Sequence, residues 1–97
     1  MNRIIRSVDT TTYGSFSASA KKLPVEVLEC LKQAVKDLLK DPQPKRIRLE
    51  KLKGNNRPPI YTIHVTPNHS HKLSFEIDGD KAILRVVGTH KEIDRKP

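Results

Sequence analysis

Lys81-Ala82-Ile83-Leu84-Arg85-Val86-Val87-Gly88-Thr89-His90-Lys91-Glu92-Ile93-Asp94 is the stretch on which the fold turns. Five of the six residues from Ala82 to Val87 are apolar, too continuous for a strand with one wet face, so the segment reads as a central strand covered on both sides. Gly88, lacking a Cβ, marks its end and the turn that follows. His90 then leaves the sheet beside Lys91. Its backbone is fixed by the strand while its side chain reaches solvent, a combination that suits a catalytic or binding group.

Working outward, Asp78-Gly79-Asp80 is a hairpin signal joining this strand to one in which Leu73, Phe75 and Ile77 alternate with Lys72, Ser74 and Glu76. Pro67-Asn68-His69-Ser70-His71 is turn chemistry. Before it, a strand from Ile60 to Thr66 turns Tyr61, Ile63 and Val65 one way and Thr62, His64 and Thr66 the other. Arg46-Ile47-Arg48-Leu49-Glu50 also alternates, which predicts a strand with Ile47 and Leu49 inward, leading into a turn at Lys51-Leu52-Lys53-Gly54-Asn55-Asn56. Val27, Leu28, Leu31, Ala34, Val35, Leu38 and Leu39 form a helical stripe that opens at Pro24 and ends by Asp41-Pro42. Ahead of it, Ser15 or Ser17 caps a short helix bearing Phe16, Ala20 and Leu23, and alternation around Ile4, Arg6 and Val8 predicts a first strand. The order is β-α-α-β-β-β-β. The expected architecture is α+β, with two N-terminal helices packed on one face of a small, mostly antiparallel sheet, in a single domain spanning 1–97.

Composition narrows the function classes. Only 35% of the 97 residues are hydrophobic and there is no Trp, so the core is modest. The net charge is +8, and Lys45, Arg46, Arg48, Lys51, Lys53 and Arg57 face a single acid, Glu50, across one short segment. A polyanion is the class of partner this favours, against the plainer reading of a charged face that only confers solubility. Cys30 is alone, no apolar run approaches a membrane span, and Met1-Asn2-Arg3-Ile4-Ile5-Arg6 lacks the apolar core of a signal peptide, so a cytoplasmic location is expected.

Three stretches carry a family resemblance: Ser15-Phe16-Ser17-Ala18-Ser19-Ala20-Lys21-Lys22-Leu23-Pro24, Leu49-Glu50-Lys51-Leu52-Lys53-Gly54 and Val87-Gly88-Thr89-His90. In this order they resemble the RelE/ParE superfamily of bacterial toxins. The run from Gly88 to Asp94, with His64-Val65-Thr66-Pro67-Asn68, is most similar to the YafQ branch. The resemblance implies a RelE/ParE-like fold and a type II toxin that enters the ribosomal A site, cleaves messenger RNA and is silenced by a cognate antitoxin. It places the branch's catalytic His on His90, an auxiliary His on His64 and an Asp position on Asn68. It places RNA-holding basic residues near Lys51 and Lys53, and a frequent Arg position on Lys72. Asp94 stands where the family usually has Tyr or Phe, which removes a ring that stacks on or orients substrate. Two further readings follow: a catalytically degenerate member, or a non-enzymatic ParE-like inhibitor of DNA gyrase, to which Asp94 is no handicap. A general RNA-binding domain is a third.

RNA cleavage through the neighbouring 2′-OH needs a base for the 2′ proton, an acid for the leaving 5′ oxygen and cations for the phosphoryl charge. Histidine is the side chain that exchanges protons near neutrality, and the chain has four: His64, His69, His71 and His90. His90 is the candidate acid and His64 the candidate base or substrate positioner. Lys72 and Arg85 are candidates for phosphate stabilisation. Surrounding cations disfavour a charged imidazole, which suits a base better than an acid. Lys45, Arg46, Arg48, Lys51, Lys53, Arg57, Asn68, Lys91 and Asp94 make up the expected RNA-binding set. The structural alternatives are His64 as a satisfied sheet residue, Arg85 as an ion-pair partner of Glu76 across the hairpin, and His69 and His71 as exposed loop residues. His69-Ser70-His71 with His64 or His90 offers nitrogen ligands of the kind zinc takes, but no second Cys, Cys-x-x-Cys or His-Glu-x-x-His accompanies them. With no Gly-rich phosphate loop either, no metal and no small-molecule cofactor is expected.

Overall fold

The computed structural model describes residues 4–52 and 58–97. Their elements run β1 (Ser7–Asp9), α1 (Gly14–Ala20), α2 (Val25–Leu38), a single 3-10 turn (Lys45–Ile47), β2 (Glu50–Lys51), β3 (Tyr61–His64), β4 (His71–Asp78), β5 (Lys81–Thr89) and α3 (His90–Arg95). The five strands form one sheet in the order β1-β5-β4-β3-β2, parallel between β1 and β5 and antiparallel elsewhere. This is the expected α+β fold, with a third helix added at the end.

Cross-strand register separates the sheet into two kinds of row. Ile63, Leu73 and Val87 lie side by side on β3, β4 and β5, and all three are buried in the main apolar cluster. Leu31, Ala34 and Leu38 of α2 belong to the same cluster, and Phe16 and Ala20 of α1 pack against it. One residue further along β3 lies the row His64, Lys72, Gly88. Because side chains alternate across a strand, this row points to the opposite face. The core and the candidate site are therefore the two sides of one sheet.

β1 pairs only with Lys81 to Ile83, which leaves the rest of that β5 edge to α1. Ser15 Oγ donates to the Arg85 carbonyl at 2.6 Å, and the Val87 N–H donates to Ser19 Oγ at 3.1 Å. Ser15, one of the two serines expected to cap the helix, instead satisfies a strand edge together with Ser19, and that edge would otherwise keep bare backbone groups. The shift of register between Ser74 and Phe75 lies opposite this part of β5.

Three expectations are corrected. Arg46 to Glu50 is not a strand: its first residues form the 3-10 turn and only Glu50–Lys51 pairs with β3. Asp37, just 2% exposed, explains why. It accepts from Arg46 Nε at 2.9 Å and Arg46 Nη2 at 3.0 Å, and also from Gln33 and Lys40. Burial raises the Asp37 carboxyl, but the bonds from Lys40, Gln33 and Arg46 outweigh it and hold the group below its ordinary range. This clamp curls the chain, yet Ile47 and Leu49 still end up buried, because Arg48 takes a left-handed conformation between them (φ 48°).

Gly88 does not end β5, which continues through Thr89. A Cβ at Gly88 would meet Glu92 Oε1 at 3.2 Å, so the bare position is where α3 packs closely on the sheet. Finally, the chain after Thr89 is helical. Thr89 and Glu92 form a capping box: the Glu92 N–H donates to Thr89 Oγ1 at 3.2 Å, and the Thr89 N–H donates to Glu92 Oε1 at 3.0 Å. Thr89's backbone and hydroxyl donors hold the Glu92 carboxyl below its ordinary range.

Candidate active site

The site occupies the end of the sheet face where β3 stops and α3 starts. His64 is the last residue of β3, with Lys72 directly beside it on β4. His90 is the first residue of α3, and its N–H donates to the Ser70 carbonyl at 2.9 Å, tying the helix to the β3–β4 turn. The His64 and His90 ring centroids are 5.8 Å apart, with the planes tilted by 33°. On its other flank, His64 stacks on His69 at 4.2 Å and 21°.

His69 is therefore not the exposed loop residue expected. The 66–70 turn places it: Thr66 Oγ1 accepts from the Ser70 and His71 N–H groups, Asn68 Oδ1 accepts from the Ser70 N–H, and His69 adopts φ 60°. Asn68, expected to touch RNA, thus has its side-chain oxygen engaged in shaping the turn. His71 is half-buried, with Nδ1 at 2.8 Å from Ser70 Oγ.

Desolvation and surrounding positive charge decide the state of His64. Burial is the largest influence, followed by His69, Lys72, Arg48 and His90, and together they pull its pKa from 6.5 down to about 4. At neutral pH this imidazole is uncharged. Its Nδ1 is buried without a hydrogen-bond partner among the described residues.

Lys72 is not placed to meet a phosphate. Its side chain is only 7% exposed, and Nζ donates to Asp94 Oδ1 at 3.1 Å. The other oxygen of Asp94, Oδ2, lies 2.8 Å from His90 Nδ1, one helical turn away on α3. Asp94, expected to contact RNA, thus has both carboxylate oxygens engaged by neighbouring side chains while staying partly exposed.

Arg85 shares this face but sits toward its other end, about 13 Å along β5 from Thr89 at roughly 3.3 Å per residue. It pairs with Glu76, which also accepts from the Tyr13 hydroxyl, and its guanidinium lies 4.7 Å from the Tyr13 ring centroid. The cross-hairpin ion pair is the arrangement present, and its hydrogen bond to Glu76 holds the Tyr13 phenol above its ordinary range.

The basic segment divides in the same way. Arg46 is bound to Asp37, whereas Lys45, Arg48 and Lys51 are exposed, and Arg48 acts on His64 through its charge. Lys91 is exposed on α3. Lys53 and Arg57 lie outside the described residues. Among the described residues, no three His, Cys, Asp or Glu side chains are arranged to hold one metal ion, and no helix is long and apolar enough to cross a membrane.

No family model and no curated protein matches the sequence. Solved structures do match. RelE of Methanococcus jannaschii, solved in complex with the RelB antitoxin, is 23% identical with a TM-score of 0.64, over 87% of this chain and 95% of that one. YafQ of E. coli is 17% identical with a TM-score of 0.63, over 91% and 97% of the two chains. A conserved protein of Helicobacter pylori solved in solution is 19% identical with a TM-score of 0.63, over 92% and 99%. The chain has the fold of the RelE and YafQ toxins.

Proposed function

We propose that this chain is the toxin of a type II toxin–antitoxin pair, an endoribonuclease that cuts messenger RNA in the ribosomal A site and is silenced by a cognate antitoxin. The observation that carries the reading is the pair of imidazoles 5.8 Å apart where β3 ends and α3 begins, one of them held uncharged at neutral pH. His64 takes the 2′-OH proton, the 2′ oxygen attacks phosphorus in line, and His90 protonates the departing 5′ oxygen, leaving a cyclic phosphate and a 5′-OH. With Lys72 held by Asp94 and Arg85 by Glu76, the phosphoryl charge falls to Arg48, with Lys45, Lys51 and Lys91 following the strand. The antitoxin partner is supported by the archaeal RelE structure, which was solved with RelB bound. Such a protein works in the cytoplasm, where translating ribosomes are.

Induced expression in a bacterial host followed by sequencing of messenger 5′ ends tests this. Cuts inside codons of translated messages are expected, and His90→Ala should reduce them by about 1,000-fold without loss of fold. Intact transcripts, or cutting unchanged in His90→Ala, would overturn the proposal. Intact transcripts with arrested gyrase would point to the non-enzymatic alternative.

A further inference from the structure

Among the described residues, Asp94 is the carboxylate that holds both Lys72 and His90. We propose that it is a positioning residue, which locks the His90 ring through Nδ1 so that Nε2 alone is presented to substrate. The inference deepens the ribonuclease reading and rests on it for its catalytic consequence, but not for the lock itself.

The geometry runs from rigid to mobile. Lys72 lies mid-row between His64 and Gly88 on the central strands, and its ammonium is buried beneath α3. A buried ammonium holds its counterion strongly, because losing it leaves an uncompensated charge. Asp94 Oδ1 is that counterion at 3.1 Å, which fixes the carboxylate and leaves Oδ2 on His90 Nδ1 at 2.8 Å. α3 cannot rotate to relax this. Its first turn is closed by the Thr89–Glu92 capping box, Glu92 sits against the Cβ-free face of Gly88, and Ile93 is 1% exposed. A carboxylate facing Nδ1 keeps a proton on that nitrogen, as a second hydrogen-bonding group does for any functional imidazole, so the proton that the ring takes up at Nε2 is the one it gives to the departing 5′ oxygen. Asp94 therefore supplies by hydrogen bonding a fixed ring orientation.

A rival reading treats Asp94 as an internal anion occupying the place of a substrate phosphate on Lys72 and His90. Lys72 is too covered for a nucleic-acid strand to replace Asp94 there, so the positioning role is the one the contacts favour.

Two variants separate the readings: Asp94→Ala, and Lys72→Met combined with Asp94→Ala, which removes the orphaned ammonium and preserves folding. In the intact protein, long-range nitrogen–proton NMR of the neutral His90 ring should show Nδ1–H. In both variants the ring should move toward the Nε2–H form, and cleavage of ribosome-bound message should lose about 100-fold in kcat with KM little changed. A tautomer that does not move overturns the proposal. So does a tautomer that moves while kcat holds or rises, the result expected of an internal blocking anion. If the unaltered protein cleaves no RNA, the ribonuclease reading fails, and the NMR comparison still decides the lock.

Discussion

The two ends of one sheet face use similar parts for opposite purposes. Toward one end, Arg85, Glu76 and Tyr13 form a set of cation, carboxylate and ring whose charges answer one another, with Arg85 Nε left buried and without a partner among the described residues. At the other end, Lys72 and Asp94 neutralise each other in the same way, but two more imidazoles stand beside them. Among the described residues, His64 keeps a buried nitrogen without a partner, and His90 has Nδ1 engaged by Asp94. Residue types do not separate the two ends. What separates them is proton-exchanging groups left with unused valence, and the short α3 that brings His90 over the end of β3.

The sharpest way to break that contrast is at His64. His64→Gln keeps a polar side chain but no proton acceptor of the right strength, and cleavage should fall by about 100-fold. The pH dependence gives a second reading of the same residue. A base works when unprotonated, so the rate of the unaltered protein should drop as pH falls through about 4 rather than near 6.5. Stability follows the same sign. The unfolded chain takes up a proton on His64 below about 6.5 while the folded protein resists until about 4, so stability should decline as pH falls across that window. Denaturant titrations from pH 7 to pH 4 should show a shallower decline in His64→Gln. An acid limb already complete near pH 6 would mean that His64 is ordinarily hydrated and not the base.

At the Arg85 end the expected effect is on folding alone. Glu76→Gln or Arg85→Met should cost about 2 kcal/mol, the scale of a charged hydrogen bond lost from a mostly buried site. Cleavage per folded molecule should stay within about twofold. Loss of activity without loss of stability would move Arg85 back into the chemistry.

Much of this architecture was legible because apolar period and turn residues report on it directly. The α2 stripe and the hairpin at Asp78-Gly79-Asp80 are both present, the latter with Gly79 at φ 63°. The mistaken strand at Arg46 to Glu50 shows the limit. Alternation reports which side chains go inward, and Ile47 and Leu49 do, but a left-handed Arg48 delivers the same alternation without a strand. α3 is a single-sided helix of six residues with one buried apolar side chain, Ile93, too short for periodicity to register. Its signal was local: Thr89-His90-Lys91-Glu92 is a capping box, and once a helix is drawn there, His90 and Asp94 fall one turn apart. His69 had no comparable signal, since its stacking on His64 depends on a positive φ set by Thr66, Asn68 and Ser70.

The finest version of the contrast lies within the basic segment, where neighbouring arginines differ in whether an acid already holds them. Arg46 is clamped on buried Asp37, while Arg48 is exposed beside His64 and Lys51 is exposed on the edge strand. A cation that meets RNA phosphate releases counterions, so its removal should lower the slope of log binding against log salt by about 0.7 per charge on a single strand. Arg48→Gln and Lys51→Gln should each do this and weaken binding a few-fold, with thermal stability unchanged. Arg46→Gln should do the reverse, because it leaves Asp37 short of its bidentate partner: the slope holds and the protein melts at lower temperature. If the Arg46 and Arg48 variants change the slope equally, the ion pair on Asp37 opens when RNA arrives, and the separation between structural and binding cations fails in this segment.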